Sequence, residues 1–253
     1  MPDSPTDPRP DAASTNWLER YHAALMMTIR VRMLDKPGTL AHVLEAIAGA
    51  RSPLGDIKTV GATSRTKLRD IQVYCVDREH LSATLAAIET VPDAEVLHVT
   101  DEVLDIHRGG TIETVATVGL ESIQDLRMVY TPGVASVCSL IESDPEAAWT
   151  YTAKGNKIAI ATNGTAVLGL GDIGALAGLP VMEGKAAILA HYVGVSAEPM
   201  LIDEKDPEKI IDIIAACASG YGAIQLEDIG APACFEIETT LQERLDVPVF
   251  HDD

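Results

Sequence analysis

At Arg108-Gly109-Gly110 the hydrophobic pattern of the chain changes its period. Ahead of this point Ile29, Val31 and Met33 alternate with Thr28, Arg30 and Arg32, the period of two of a strand with one face buried and one wet. Beyond it whole runs are apolar, as in Lys157-Ile158-Ala159-Ile160-Ala161, Met200-Leu201-Ile202 and Ala223-Ile224-Gln225-Leu226, with helical stretches between them. Such runs suit strands covered on both faces in an α/β layer. The two patterns call for two separate units, which is also what 253 residues lead one to expect. The spacing predicts a disordered tail over residues 1–24, one domain over 25–107 and a second over 108–253.

In the first domain the alternating strand stops at Asp35-Lys36-Pro37-Gly38, and Leu40, Val43, Leu44 and Ile47 then recur at helical spacing. Strands are predicted near Ile57 to Val60 and Ile71 to Val76, then a helix carrying Leu81, Leu85 and Ile88, then a last strand around Glu95 to Val99. The order β-α-β-β-α-β is a ferredoxin-like arrangement, with two helices on one side of an antiparallel sheet. This order, with Asp35-Lys36-Pro37-Gly38-Thr39-Leu40 at the first strand-to-helix turn, resembles an ACT domain. The resemblance implies a regulatory module that pairs with another copy and takes an amino-acid effector, with Asp35 and Gly38 at the ligand turn. A ferredoxin-like module used only for assembly is the other reading.

Acidic residues outnumber basic ones by 38 to 19, a formal net charge of −19. So acidic a surface repels phosphate backbones and anionic headgroups, which argues against nucleic acid and membranes as partners. Uncharged stretches such as Met128 to Ile141 and Ile213 to Leu226 reach 14 residues, short of the roughly 18 that a membrane helix needs. The Pro- and Asp-rich start has neither the basic segment nor the apolar core of a signal peptide, so a cytoplasmic location is expected. Cys75, Cys138, Cys217 and Cys234 form no CxxC pair, so reduced, packed thiols are expected.

Three constellations in the second domain could carry chemistry. Gly169-Leu170-Gly171-Asp172-Ile173-Gly174 satisfies GxGxxG, but Asp172 sets a carboxylate where a pyrophosphate would lie, and Asp203 stands 29 residues beyond Gly174, against the usual spacing of about 20. Tight turns serving backbone packing explain these glycines better. Glu227-Asp228 and Asp252-Asp253 each follow a strand candidate, with Cys234, Ile237, Leu241 and Leu245 marking a helix between them. A β-α-β unit makes such strands parallel, so four acids converge at the carboxyl end of the sheet, where α/β folds place ligands. A hard divalent cation, Mg²⁺ or Mn²⁺, would balance them; solvated strand ends are the plain alternative. Finally, Tyr130 opens the uncharged Tyr130-Thr131-Pro132-Gly133-Val134-Ala135, and Lys185, one of eight lysines, sits between Gly184 and Ala186 ahead of an apolar helix. In an apolar cleft near a metal such a lysine becomes a usable base; otherwise its amine reaches water.

These fragments occur together, and in order, in one family. Tyr130 to Ala135, Tyr151-Thr152-Ala153-Lys154-Gly155-Asn156, Asn163 to Gly174, Leu179 to Lys185, Leu226-Glu227-Asp228-Ile229 and Val249-Phe250-His251-Asp252-Asp253 resemble the amino-terminal, substrate-side domain of bacterial-type malic enzymes. The resemblance implies oxidative decarboxylation of (S)-malate to pyruvate and CO₂ with NAD or NADP as hydride acceptor. It also implies Glu227, Asp228 and Asp253 as ligands to Mg²⁺ or Mn²⁺, Lys185 as base, Asp252 as its tuning or relaying partner, and Tyr130 as the acid that protonates C3. In this family the Gly169–Gly174 type of segment belongs to the substrate domain. Members run on past the paired aspartates through Gln-x-Gly-Thr-Ala into a dinucleotide-binding domain, whereas these residues stop at Asp253. A part inactive alone, and a homo-oligomer, are therefore expected. The alternatives are a non-catalytic regulatory or assembly protein and nucleotide binding through Gly169–Gly174.

Overall fold

The computed structural model of the chain describes residues 25–252; the 1–24 tail and Asp253 lie outside them. The chain divides between Arg108 and Gly109, one residue later than the change of period suggested.

The first unit begins with β1 (Leu25–Leu34), whose residues alternate between buried and wet. Gly38, at φ 93°, turns the chain into α1 (Thr39–Gly49) through a left-handed conformation that costs other residues energy. Then come β2 (Leu54–Ala62), β3 (Thr66–Cys75), α2 (Arg78–Glu89), β4 (Ala94–Asp101) and the short α3 (Glu102–Ile106). Asp77 caps α2, its carboxylate accepting the His80 N–H at 2.8 Å. The β-α-β-β-α-β order read from the periodicities is the order found, in an antiparallel sheet arranged β2-β3-β1-β4. Ile29, Val31, Ile71 and Val73 meet Val43, Ile47, Leu81 and Ile88 in one core. On the opposite face Arg30 stands across from Asp70 in register, and its guanidinium donates to both carboxylate oxygens at 2.7 Å.

In the second unit α4 (Ile123–Val129), opened by a Ser122/Asp125 capping box, is followed by α5 (Val134–Ser143) and α6 (Ala147–Tyr151). The chain then alternates: β5 (Lys157–Thr162), α7 (Ala175–Ile188), β6 (Ser196–Leu201), α8 (Pro207–Cys217), β7 (Ala223–Leu226), α9 (Ala233–Arg244) and β8 (Val249–His251). The strands are all parallel, in the order β6-β5-β7-β8, and the apolar runs form its interior. One face packs Ala159, Ala161, Ile224 and Leu226 against Ile210, Ile214, Ile237 and Leu241 of α8 and α9. The other packs Ile160 and Ala197 against Met182 and Ala186 of α7.

Two expectations are corrected. Lys185 lies within α7, in its last turn, and not ahead of a helix; a cation there meets the negative end of the helix dipole. Of the four thiols, none in a disulfide, only Cys75 and Cys234 are buried; Cys138 and Cys217 are exposed. At the carboxyl end of the parallel sheet Glu227 and Asp252 pair about Lys185, and Asp228 begins the turn that follows β7.

Candidate functional site

The parallel register pairs Ile224 with Val249, Gln225 with Phe250 and Leu226 with His251. One step further along each strand stand Glu227 and Asp252, so they emerge side by side at the carboxyl end of the sheet. The pleat sends both toward the α7 face, because Ile224 and Leu226 point to the α8 and α9 core. From α7, Lys185 reaches across to them. Its Nζ lies 3.0 Å from Glu227 Oε1 and also donates to Asp252 Oδ2. The second oxygen of Glu227 accepts from Gln225 Nε2 at 2.8 Å.

The electrostatics follow from two acids sharing one ammonium. Glu227 is 7% exposed, and burial, reinforced by Asp252, pushes its carboxyl up to about 7 in spite of Lys185. For the more open Asp252 burial acts upward too, but Lys185 outweighs it and holds this carboxyl below its ordinary value. Burial alone would lower Lys185; its bonds to Asp252 and Glu227 overcome that and hold it above its ordinary value. Between these two carboxylates the ammonium form of Lys185 is favoured.

Asp228, buried like Glu227, turns the chain out of β7 with φ 53°, a left-handed conformation that aspartate tolerates better than most residues. The loop after β5 holds this turn. Ala166 N–H donates to the Asp228 carbonyl at 3.1 Å, and Gly230 N–H donates to Thr165 Oγ1 at 2.9 Å, itself bonded to Asn163 Oδ1 at 2.7 Å. Tyr130 follows α4 at the head of a cis Thr131–Pro132 bond and is 67% exposed. Among the described residues its hydroxyl makes no hydrogen bond to Lys185, Glu227 or Asp252. Asp253 lies outside the described residues. The acids thus gather as a Glu227–Asp252 pair about Lys185 with Asp228 at the next position of the turn. Among the described residues no three His, Cys, Asp or Glu side chains are arranged to hold a metal ion.

Gly169–Gly174 lacks the short strand-to-helix turn that a dinucleotide fingerprint requires. Six residues, Asn163 to Leu168, separate Gly169 from the end of β5, and the loop folds back so that the Ile173 and Gly174 N–H groups donate to the Gly164 carbonyl at 3.0 and 3.1 Å. Asp172 pairs with Lys205 at 2.5 Å, and Asp203 is exposed just beyond β6. In the first unit Asp35 pairs with Lys67 at 2.8 Å and Gly38 is the cap residue before α1, so both lie where β1 meets α1. Gln225 is the site residue that the apolar reading of β7 concealed; a polar side chain two positions before an acid in a doubly covered strand was its signal.

The arrangement has known counterparts. Residues 109–205 match the family profile "Malic enzyme, N-terminal domain". The chain is 44% identical over 230 residues to NAD-dependent malic enzyme 1 of Bacillus subtilis, an overlap covering 90% of this chain and 52% of that one. To the NADP-dependent malic enzyme of Escherichia coli it is 50% identical over 153 residues, 59% of this chain and 20% of the other. The crystal structure of malic enzyme from Pyrococcus horikoshii superimposes with a TM-score of 0.58 at 48% identity, over 59% of this chain and 36% of that one. The chain therefore spans about half the length of the Bacillus relative and a fifth of the Escherichia one. Over residues 109–205 the second unit is thus similar to the N-terminal domain of the malic enzymes.

Proposed function

We propose that this chain supplies the substrate- and metal-holding part of an NAD(P)-dependent malic enzyme, which converts (S)-malate to pyruvate and CO₂. The observation that carries the reading is Lys185 held between Glu227 and Asp252 at the carboxyl end of the parallel sheet. Malate is a dianion, and two carboxylates sharing one lysine would repel it. A divalent cation removes that conflict, and the donor chemistry suits one, since Glu227 and Asp228 offer buried carboxylate oxygens of the kind Mg²⁺ and Mn²⁺ prefer. Glu227, Asp228 and Asp253 would hold it; when bound, the cation supplies Lewis-acid polarisation of the substrate oxygen at C2.

The chain's own residues do the proton work. With Glu227 engaged by the cation, Lys185 loses one of the two charges that keep it protonated and takes the C2 hydroxyl proton as hydride departs; Asp252, still its partner, orients the amine and relays the proton outward. Tyr130 is assigned delivery of a proton to C3, a step that requires this exposed residue to reach the substrate. The hydride acceptor is assigned to no segment of this chain. The first unit is read as an ACT-like module whose β1–α1 turn, with Asp35 and Gly38, receives an amino-acid effector between paired copies, which makes the protein a homo-oligomer.

Titration calorimetry tests the central assignment. Mn²⁺ is expected to bind the 253-residue chain and to lose at least about 100-fold in affinity on Asp253→Ala, as for loss of a ligand rather than of a supporting contact. NAD⁺ is expected to give no heat, and malate with NAD⁺ no reduction signal. Tight NAD⁺ binding, or Mn²⁺ binding indifferent to Asp253, would refute the assignment.

A further inference from the structure

Strands covered on both faces are normally unbroken apolar runs, and β7 is covered on both faces, with Ile224 and Leu226 buried on one and Gln225 and Glu227 on the other. Gln225 interrupts it and is 3% exposed. An amide shut away from water is tolerated only where its polar atoms are bonded, so its partner states its use. Alternation along β7 puts Gln225 on the same face as Glu227. The Gln225 Nε2 donates to Glu227 Oε2 at 2.8 Å, while Glu227 Oε1 faces Lys185 Nζ at 3.0 Å. With one oxygen tied, rotation of the carboxylate about its last torsion is restrained, and its other oxygen stays facing Lys185. A lysine or arginine at position 225 would also hold it, but would neutralise the charge on which a cation depends. An amide fixes direction and leaves the charge in place.

We propose that Gln225 is a positioning residue, whose amide orients the Glu227 carboxylate so that Oε1 is presented to Lys185 and to a divalent cation. The cation clause rests on the function proposed above; the orientation of Glu227 does not. The test compares the full chain with Gln225→Met, which keeps the length of the side chain and removes the donor, and with Ile224→Val, which disturbs the opposite face of the same strand. Two signals are read: Mn²⁺ affinity by electron paramagnetic resonance, and, in metal-free protein, the ¹³C carboxyl resonance of Glu227, identified by its loss in Glu227→Gln. Gln225→Met is expected to shift that resonance and to weaken Mn²⁺ binding by about 10- to 100-fold, the usual effect of losing a contact behind a metal ligand; Ile224→Val is expected to do neither. If the unsubstituted chain binds no Mn²⁺, the metal reading fails and the resonance alone decides the role of Gln225. If it binds Mn²⁺ and Gln225→Met changes neither signal, the positioning role is overturned while the metal reading stands.

Discussion

Asp70 sits opposite Arg30 on the wet face of the first sheet, and the two-pronged hydrogen bond from the guanidinium holds its carboxyl below the ordinary 3.8. A carboxyl lowered in the folded state binds fewer protons than in the unfolded chain, so stability rises with pH across that interval. The contribution is full above the unfolded value and is lost as pH falls through the lower folded one. Asp70→Asn is therefore expected to lower the thermal midpoint at pH 6 and to make progressively less difference below about pH 4, read from melts of both proteins across that range. At this scale the sequence was informative wherever chemistry is carried by residue type. Lys185, Glu227 and Asp252 are recognisable as unusual side chains before any fold is known, and they do meet. Tyr130 is equally conspicuous, yet it is exposed where α4 ends. Gln225 escaped because a single polar residue within Ala223-Ile224-Gln225-Leu226 hardly disturbs an apolar run.

The element that most rewards comparison with its sequence is the connection between β5 and α7. GxGxxG suggests a turn around phosphate, but the loop closes upon its own first glycine. Gly164 has φ 66°, and a Cβ there would lie 2.3 Å from the Gly174 carbonyl oxygen, which no side-chain rotation relieves because the obstacle is backbone. Gly164→Ala is accordingly expected to cost about 1–3 kcal/mol in urea unfolding, the usual range for a residue forced into a strained conformation. Gly184, inside α7, has ordinary helical dihedrals and nothing within 4 Å of its absent Cβ. Gly184→Ala is expected to stabilise the chain, by about 0.5–1 kcal/mol. Opposite signs for these two glycines would show that the first serves close backbone packing and the second only dilutes a helix. In the first unit, by contrast, every predicted element was found, because a half-buried antiparallel sheet writes its exposure directly into alternation.

Charge is the property that acts on the whole molecule at once. A net −19 spread over a folded surface repels itself, and the repulsion weakens as the Debye length falls from about 14 Å at 0.05 M salt to about 4 Å at 0.5 M. The thermal midpoint is expected to rise between those salt concentrations, and a labelled DNA duplex is expected to show no mobility shift with the protein at either. A midpoint that falls with salt would mean that ion pairs such as Arg30–Asp70 outweigh the surplus of acid. Among the described residues no helix is long and apolar enough to cross a membrane, in keeping with the short uncharged stretches. Two units, the order of strands and helices and the placing of acids just after strands could all be read from the chain alone, since periodicity is a property of neighbours in sequence. That Glu227 and Asp252 close on one lysine, and that an amide holds the first of them, was decided by tertiary structure. Those distances depend on the register between strands some 25 residues apart in the chain and on which face of the pleat each residue takes, and no local pattern records either.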